Sequence, residues 1–258
     1  MLSEVKGLVL RTTELNETDR MLTVYTAERG LVSAMAKGSR SLKSRKMAAS
    51  VQFCYSTFVL FERGDKLWVR EAELIESFYG LRESIEGLAL AGYVVEVLGD
   101  VATAEADSDL LRLTLNTLYA IASGKYDLGR VKGAFEMRLA SMLGFMPSVL
   151  GCGSCDCRSG DFYFDIMAGA LQCFSCHKRA EQTHTPLTAD HESHIVRLVS
   201  EGARVAMCYV IYCPLEKLFS FSLEGEDMNL FSGACEAYLL NHLERGFRSL
   251  DFYNEVKK

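Results

Sequence analysis

The chain has 258 residues, of which 49% are hydrophobic and 24% charged, with only three prolines. This excludes a disordered or low-complexity protein, and the length suits two domains better than one. A net charge of −6 excludes a protein that wraps nucleic acid over its whole surface. The longest apolar run, Gly87 to Val95, is nine residues, against roughly twenty for a membrane span. With no basic-then-apolar leader at the amino end, a soluble cytoplasmic protein with no membrane partner is expected.

Residues 1–80 read as strands separated by turns. Val5–Leu10, Met21–Tyr25, Leu31–Ala36, Phe53–Phe61 and Leu67–Glu73 are short runs rich in Val, Leu, Phe and Tyr. Turn residues fall between them at Glu28-Arg29-Gly30, Lys37-Gly38-Ser39 and Arg63-Gly64-Asp65. Five strands are too few for an immunoglobulin-like sandwich and suit a small closed barrel such as an OB-fold. The expected first domain is therefore a five-stranded barrel over 1–80.

The pattern turns helical after Phe78, and the expected second domain covers 81–258. Ile85, Leu88, Val95, Leu98 and Ala102 form one stripe at near-helical spacing. Asp107-Ser108 is a start signal for Leu111, Leu115, Leu118 and Ala122, which Ser123-Gly124 ends. Val131, Phe135, Leu139 and Met142 make a third stripe, stopped by Gly144 and Pro147. Such stripes mark core packing rather than chemistry. Gly151–His177 breaks the pattern with cysteines, glycines and the strand-like Phe162-Tyr163-Phe164. Helix is expected again from about Thr188 and over Leu230–Glu244. The class is α+β and multidomain.

Five of the nine cysteines, Cys152, Cys155, Cys157, Cys173 and Cys176, fall within 25 residues. Without an export signal, clustered pairs read as metal ligands rather than disulfides. Cys152-x2-Cys155, 17 residues, then Cys173-x2-Cys176 has the spacing of a structural zinc site built from two knuckles, at about 150–180. Four thiolates close the coordination sphere around one ion and leave no position for substrate. Cys157 is an alternative to Cys155, and His177, beside Cys176, is a second possible substitute. A thioredoxin-like redox reading is weak, because that motif opens a helix after a strand and is not paired.

Catalytic motifs are missing. His191-Glu192-Ser193-His194 has its histidines at i and i+3, one residue short of the zincin spacing, and reads as a solvated helix start. The sequence contains no phosphate loop, dinucleotide fingerprint, nucleophile elbow or zinc-deaminase pair. No enzyme is expected.

The charge is unevenly spread. Residues 1–80 carry 12 Lys and Arg against 10 Asp and Glu, whereas 81–258 carry 16 against 24. From Arg29 to Phe61 there are six basic residues and no acidic one. Five of them, Lys37, Arg40, Lys43, Arg45 and Lys46, lie within ten positions, interspersed with Ser39, Ser41 and Ser44. Cations and hydroxyls with no Asn or Gln suit phosphate contact without base reading. Placed on a barrel that commonly binds single strands, the segment points to DNA. Arg11, Arg20 and Arg70 are weaker candidates, each close to acidic residues.

Residues 9–40, with Glu17-Thr18-Asp19, Thr26, Gly30 and Ala36-Lys37-Gly38, resemble the amino-terminal domain of the bacterial recombination mediator RecO. The likeness continues through Ser44-Arg45, Leu67-Trp68 and Glu71-Ala72-Glu73-Leu74. It resumes at Phe135-Glu136-Met137-Arg138-Leu139, Leu143-Gly144-Phe145 and Pro147, and at Phe164-Asp165 and Gly169 before the second knuckle. It covers about residues 3–180.

The resemblance implies an amino-terminal OB-fold and a helical carboxy-terminal domain carrying a zinc finger. It implies binding of single- and double-stranded DNA, annealing of complementary strands, and help in loading RecA onto DNA coated by single-strand-binding protein. The implied partners are RecR and the acidic, aromatic-ended tail of single-strand-binding protein. Arg130, Lys132 and Arg138, flanking the Val131–Phe135–Leu139 stripe, are candidates to receive that tail. Cys157 and Ala170 depart from the family pattern. Two other readings remain: a zinc-stabilised adaptor whose basic loop meets an acidic protein, and a metal-dependent hydrolase with an open coordination site.

Overall fold

In β1 (Leu2–Glu14), β2 (Arg20–Thr26), β3 (Gly30–Ala36), β4 (Tyr55–Arg63) and β5 (Lys66–Glu76), apolar side chains alternate with others at the period of a half-buried strand. The computed structural model describes residues 2–183 and 195–257. The five strands close into a barrel in the order β1-β2-β3-β5-β4, antiparallel except where β3 meets β5. Val5, Val9, Leu22, Val24, Val32, Ala34, Phe58, Leu60 and Val69 point inward and form its core. A four-residue helix, α1 (Lys46–Ala49), links β3 to β4.

Three longer helices pack in the same compact unit as the barrel, which comprises residues 1–124 and 247–258. α2 (Ile85–Val101) is capped by Ser84 Oγ, which accepts from the Gly87 amide at 2.8 Å. α3 (Ser108–Ala122) starts at the expected signal: Asp107 Oδ1 accepts from the amides of Asp109 and Leu110, both at 2.9 Å. α8 (Arg248–Val256) brings the chain's end back to pack on α2. The α2 stripe differs from expectation. Val95 and Leu98 are buried as expected, but Ile85 and Leu88 are exposed and Leu90, Ala91, Tyr93, Val94 and Val97 are buried as well, because α2 has neighbours on several sides and no single buried face.

The second unit is residues 125–246. α4 (Leu128–Met142), capped by Asp127 and ended by Gly144 at φ +94°, packs on α6 (Glu201–Tyr212) and α7 (Gly225–Leu243). Val131, Phe135 and Leu139 are fully buried, as their spacing predicts. Beside these helices lies a four-stranded sheet ordered β6-β8-β7-β9, made of β6 (Ser148–Cys152), β7 (Phe162–Asp165), β8 (Ala170–Cys173) and β9 (Val196–Val199). α5 (Phe174–Thr183) follows β8.

The helix expected from about Thr188 is corrected over the described residues: 196–199 are a strand paired with β7, and the described helix that follows begins at Glu201. The apolar Val196, Leu198 and Val199 complete the sheet, which outweighs their helical spacing. His191-Glu192-Ser193-His194 lies outside the described residues. Among those described, no helix is long and apolar enough to cross a membrane.

Candidate functional site

The basic segment leaves the barrel at the end of β3 and is fastened by the turn between β1 and β2. Asp19 Oδ1 accepts from the Gly38 amide at 2.7 Å, and the Arg40 amide donates to the Thr18 carbonyl at 3.0 Å. Asn16 Oδ1 in turn accepts from the amides of Thr18 and Asp19. The Gly38 hydrogen bond, followed by those from Asn16 and Thr18, holds the Asp19 carboxyl below its usual range. Gly38 sits at φ +69°, which glycine adopts without strain. Glu17-Thr18-Asp19 and Ala36-Lys37-Gly38 are therefore two halves of one structure.

Within that structure the five cations divide. Arg40 pairs with Glu14 at 3.1 Å and donates to the Asn16 carbonyl at 2.6 Å. The Lys46 ammonium donates to the carbonyls of Lys37 at 2.5 Å and Val69 at 3.4 Å, and burial lowers its pKa. These two staple the segment to the barrel. Lys37, Lys43 and Arg45 are exposed. Arg45, Lys46 and Arg70 also line a groove of about 780 Å³ with Glu4, Glu71 and Glu73, where Arg70 lies 3.6 Å from Glu71. Arg11 is exposed on β1 opposite Thr23. Arg20 pairs with Ala36 in the inward-facing register, and its half-buried guanidinium has a nitrogen without a partner.

Sequence reasoning missed the outer surface beside this segment. Leu2, Phe61, Trp68, Met35 and Met21 are in register on neighbouring strands and face outward. The Phe61 and Trp68 rings stack, with centroids 6.3 Å apart and planes 21° apart. Exposed Arg63 and Lys66 face each other two positions along the same strands. The alternation Phe61-x-Arg63 and Lys66-x-Trp68-x-Arg70 is visible in the sequence, but the strand pairing that joins the rows is not.

In the second unit, β6 and β8 run parallel, so their carboxy ends deliver Cys152 and Cys173 side by side. β6 then turns back through residues 153–155, whereas β8 runs straight into α5, whose first turn presents Cys176. The sulfurs of Cys152, Cys155, Cys173 and Cys176 all lie within 4.8 Å of one another, and Cys155 and Cys173 are 3.6 Å apart. Burial opposes ionisation of Cys152, but the backbone N–H groups of Cys173, Ser154 and Cys155 outweigh it and bring the thiol down to about 6. The neighbouring sulfurs of Cys155 and Cys173 push Cys176 up to about 12. Four sulfurs this close ionise together only around a cation, so the set fits a metal ion. Cys157 and His177 are not in it. The Cys157 thiol donates to the Ser159 carbonyl at 3.4 Å, while His177 stacks on Tyr163 at 4.0 Å and meets Gln172 at 3.3 Å.

The three α4 cations have different surroundings. Lys132 is 1% exposed and held by Glu136 at 2.9 Å and Glu236 at 2.6 Å. As a surface cation for an incoming carboxylate it is corrected by its burial. Arg138 donates to the carbonyls of Val210, at 3.0 Å, and Ile211 at the end of α6. Arg130 lies over the Phe221 ring, 5.6 Å from its centroid. Phe221, Tyr209, Val205 and Leu223 line a cavity of about 300 Å³.

Residues 1–78 match the family described as Recombination protein O N terminal, and residues 82–251 match Recombination protein O C terminal. "DNA repair protein RecO" of Acetivibrio thermocellus is 32% identical over 99% of this chain and 97% of its own. The protein of the same description from Desulforudis audaxviator is 30% identical over 98% and 96%. That from Alkaliphilus metalliredigens is 35% identical over 69% and 73%. On both halves and along its full length, the chain belongs to the RecO family of DNA repair proteins.

Proposed function

We propose that this chain is a non-enzymatic recombination mediator that binds single- and double-stranded DNA through its barrel. It anneals complementary strands and helps to load RecA onto DNA coated by single-strand-binding protein, working with RecR in the cytoplasm. The observation that carries the reading is the basic segment, anchored to the barrel by Arg40 and Lys46 while Lys37, Lys43 and Arg45 project into solvent. Phosphate contacts release condensed counterions, so log affinity for a single strand falls with log salt by about 0.7 per phosphate neutralised. The test is a salt titration of oligonucleotide binding. Replacing Lys37, Lys43 and Arg45 by alanine flattens the slope by about two units and weakens all sequences alike. Parallel slopes would remove the segment from the DNA interface.

The metal in this reading is one structural zinc. A tetrahedral ion about 2.3 Å from each sulfur needs sulfurs about 3.8 Å apart, and the 3.6 Å between Cys155 and Cys173 suits it. Zinc, when bound, supplies a fixed centre of charge that offsets the thiolates. Cys152 and Cys155 hold one end of the arm, and Cys173 and Cys176 bring back the other.

The acidic tail of single-strand-binding protein docks in the cavity of the second unit. Val205, Tyr209, Phe221 and Leu223 receive its aromatic end, and Arg130, stacked on Phe221, meets its carboxylate. Loss of a charge-assisted hydrogen bond weakens binding about 10- to 100-fold. Arg130→Ala is therefore expected to weaken a tail peptide by that factor, and unchanged peptide binding would rule the cavity out.

A further inference from the structure

We propose that the outward stripe of Phe61, Trp68, Met35 and Met21 is the surface on which the bases of single-stranded nucleic acid stack, a proposal that rests on the DNA-binding reading above. These residues are directly opposed in register across β4, β5, β3 and β2, and Leu2 continues the row onto β1 at 52% exposure. At a strand spacing of about 4.8 Å, the four steps give a track of about 19 Å around the barrel. Apolar side chains on the outside of a barrel usually sit under another element. Tyr25 on the same face of β2 does so: it is 1% exposed and its hydroxyl donates to the Asp107 carbonyl at 3.3 Å. The stripe is left half-buried, with the stacked Phe61–Trp68 pair at its centre.

Its surroundings specify the chemistry of the occupant. The positions two residues either side of these five residues include four cations, Arg63, Lys66, Arg70 and Lys37, and two carboxylates, Glu4 and Asp19, of which Asp19 is committed to the Gly38 amide. An apolar, π-rich strip bordered by cations matches a strand whose bases are flat and apolar and whose backbone is an anion. An acidic amphipathic helix would fit the charges, but the aromatic rings at the centre favour bases. The track is joined to the phosphate-binding segment, because Met35 lies two residues before Lys37 and Lys46 bonds to the carbonyl of Val69, next to Trp68. Phe61, Met35 and Met21 have no group that reads a base edge by hydrogen bonding, and the Trp68 indole nitrogen is buried away from the surface. Bases held by their faces keep those edges open to a complementary strand, which is what annealing requires.

Trp68 is the only tryptophan of the chain, so its fluorescence reports on the track directly. The test titrates the full-length protein with an oligothymidine and with an abasic tract of equal length, following Trp68 emission together with the anisotropy of the labelled oligomers. Expected are quenching that saturates with oligothymidine binding and weaker, unquenched binding of the abasic tract. Stacking of one base is worth about 5- to 150-fold in affinity. Trp68→Ala weakens single-strand binding by that factor, leaves duplex binding and the salt slope unchanged, and Trp68→Phe restores most of the loss. Phe61→Leu gives the same pattern should Trp68→Ala fold poorly. Saturated binding with unchanged emission would overturn the proposal, as would equal affinity for the thymidine and abasic tracts. So would a Trp68→Ala variant that binds oligonucleotides normally but loses a protein partner. If no oligonucleotide binds even at low salt, the DNA-binding reading itself fails and this proposal falls with it.

Discussion

Asp19 has the most consequential single contact in the barrel loops, because its carboxylate holds the Gly38 amide and thereby the start of the basic segment. Its pKa is lowered in the folded chain, chiefly by that hydrogen bond. The resulting stabilisation is fully present above the ordinary value of 3.8 and is lost as pH falls through the lowered one. Asp19→Ala is expected to lower the protection of the Gly38 amide against hydrogen exchange at neutral pH, while wild type shows a comparable loss of protection, relative to the intrinsic rate at the same pH, only in acid. Unchanged protection would mean that the turn holds without the carboxylate. The cysteines make a separate point at this scale. Cys173→Ser is expected to abolish metal retention and lower the denaturation midpoint of the arm, whereas Cys157→Ser retains both, as metal analysis and thermal melting would check. A purified wild type with disulfides and no metal would sink the four-thiolate site. The cluster of four sulfurs was legible in the sequence because a CxxC turn is a local device whose spacing alone brings two sulfurs together. The choice between Cys155 and Cys157 was not, since it depends on a turn that points Cys157 at the Ser159 carbonyl.

Among the elements, the interface of α4 with α7 contains a charge cluster that a stripe of apolar residues does not announce. Lys132, 1% exposed, bridges Glu136 one turn along α4 and Glu236 on α7. Burial alone would lower its pKa, but the two carboxylates outweigh that and raise it. Removing one partner of a buried pair costs about 3–5 kcal/mol, because it leaves the other charge uncompensated. Lys132→Ala is therefore expected to destabilise the protein by about that amount in urea denaturation, and a change below about 1 kcal/mol would show that solvent reaches the cluster. The strands and most helices could be read from sequence because alternation and helical spacing are properties of the chain itself. Cross-strand rows are not, and this hid the Phe61–Trp68–Met35–Met21 stripe. The same limit misplaced β9, whose four residues take their conformation from β7 rather than from their own spacing.

The whole molecule is less simply divided than the order of its elements suggests. The family matches meet near residue 80, at 1–78 and 82–251, yet the compact units are 1–124 with 247–258, and 125–246. The last residues return to the barrel's unit. Phe247, Leu250 and Tyr253 are buried there, the Phe247 ring meets Tyr93 edge-on at 5.8 Å, and the Ser249 amide and hydroxyl both donate to Glu96 on α2. Deleting a buried Phe side chain costs about 3–5 kcal/mol and a buried Leu about 2–5. A chain ended at Gly246 loses three such groups at once and uncovers Tyr93. Domain stabilities are only about 5–15 kcal/mol, so the truncated barrel unit is expected to be largely unfolded or to melt far lower. The 125–246 unit, which contains every residue of the cysteine site, should keep its metal. The pair of measurements is a thermal melt and a metal determination on the truncated and full chains. An unchanged melt would mean that α8 is an appendage and that α2 and α3 suffice to cover the barrel. Loss of metal with the melt would mean that the two units fold as one. The expected split, with metal retained and the barrel lost, makes the carboxy-terminal twelve residues part of the barrel's unit although nothing in their sequence marks them so.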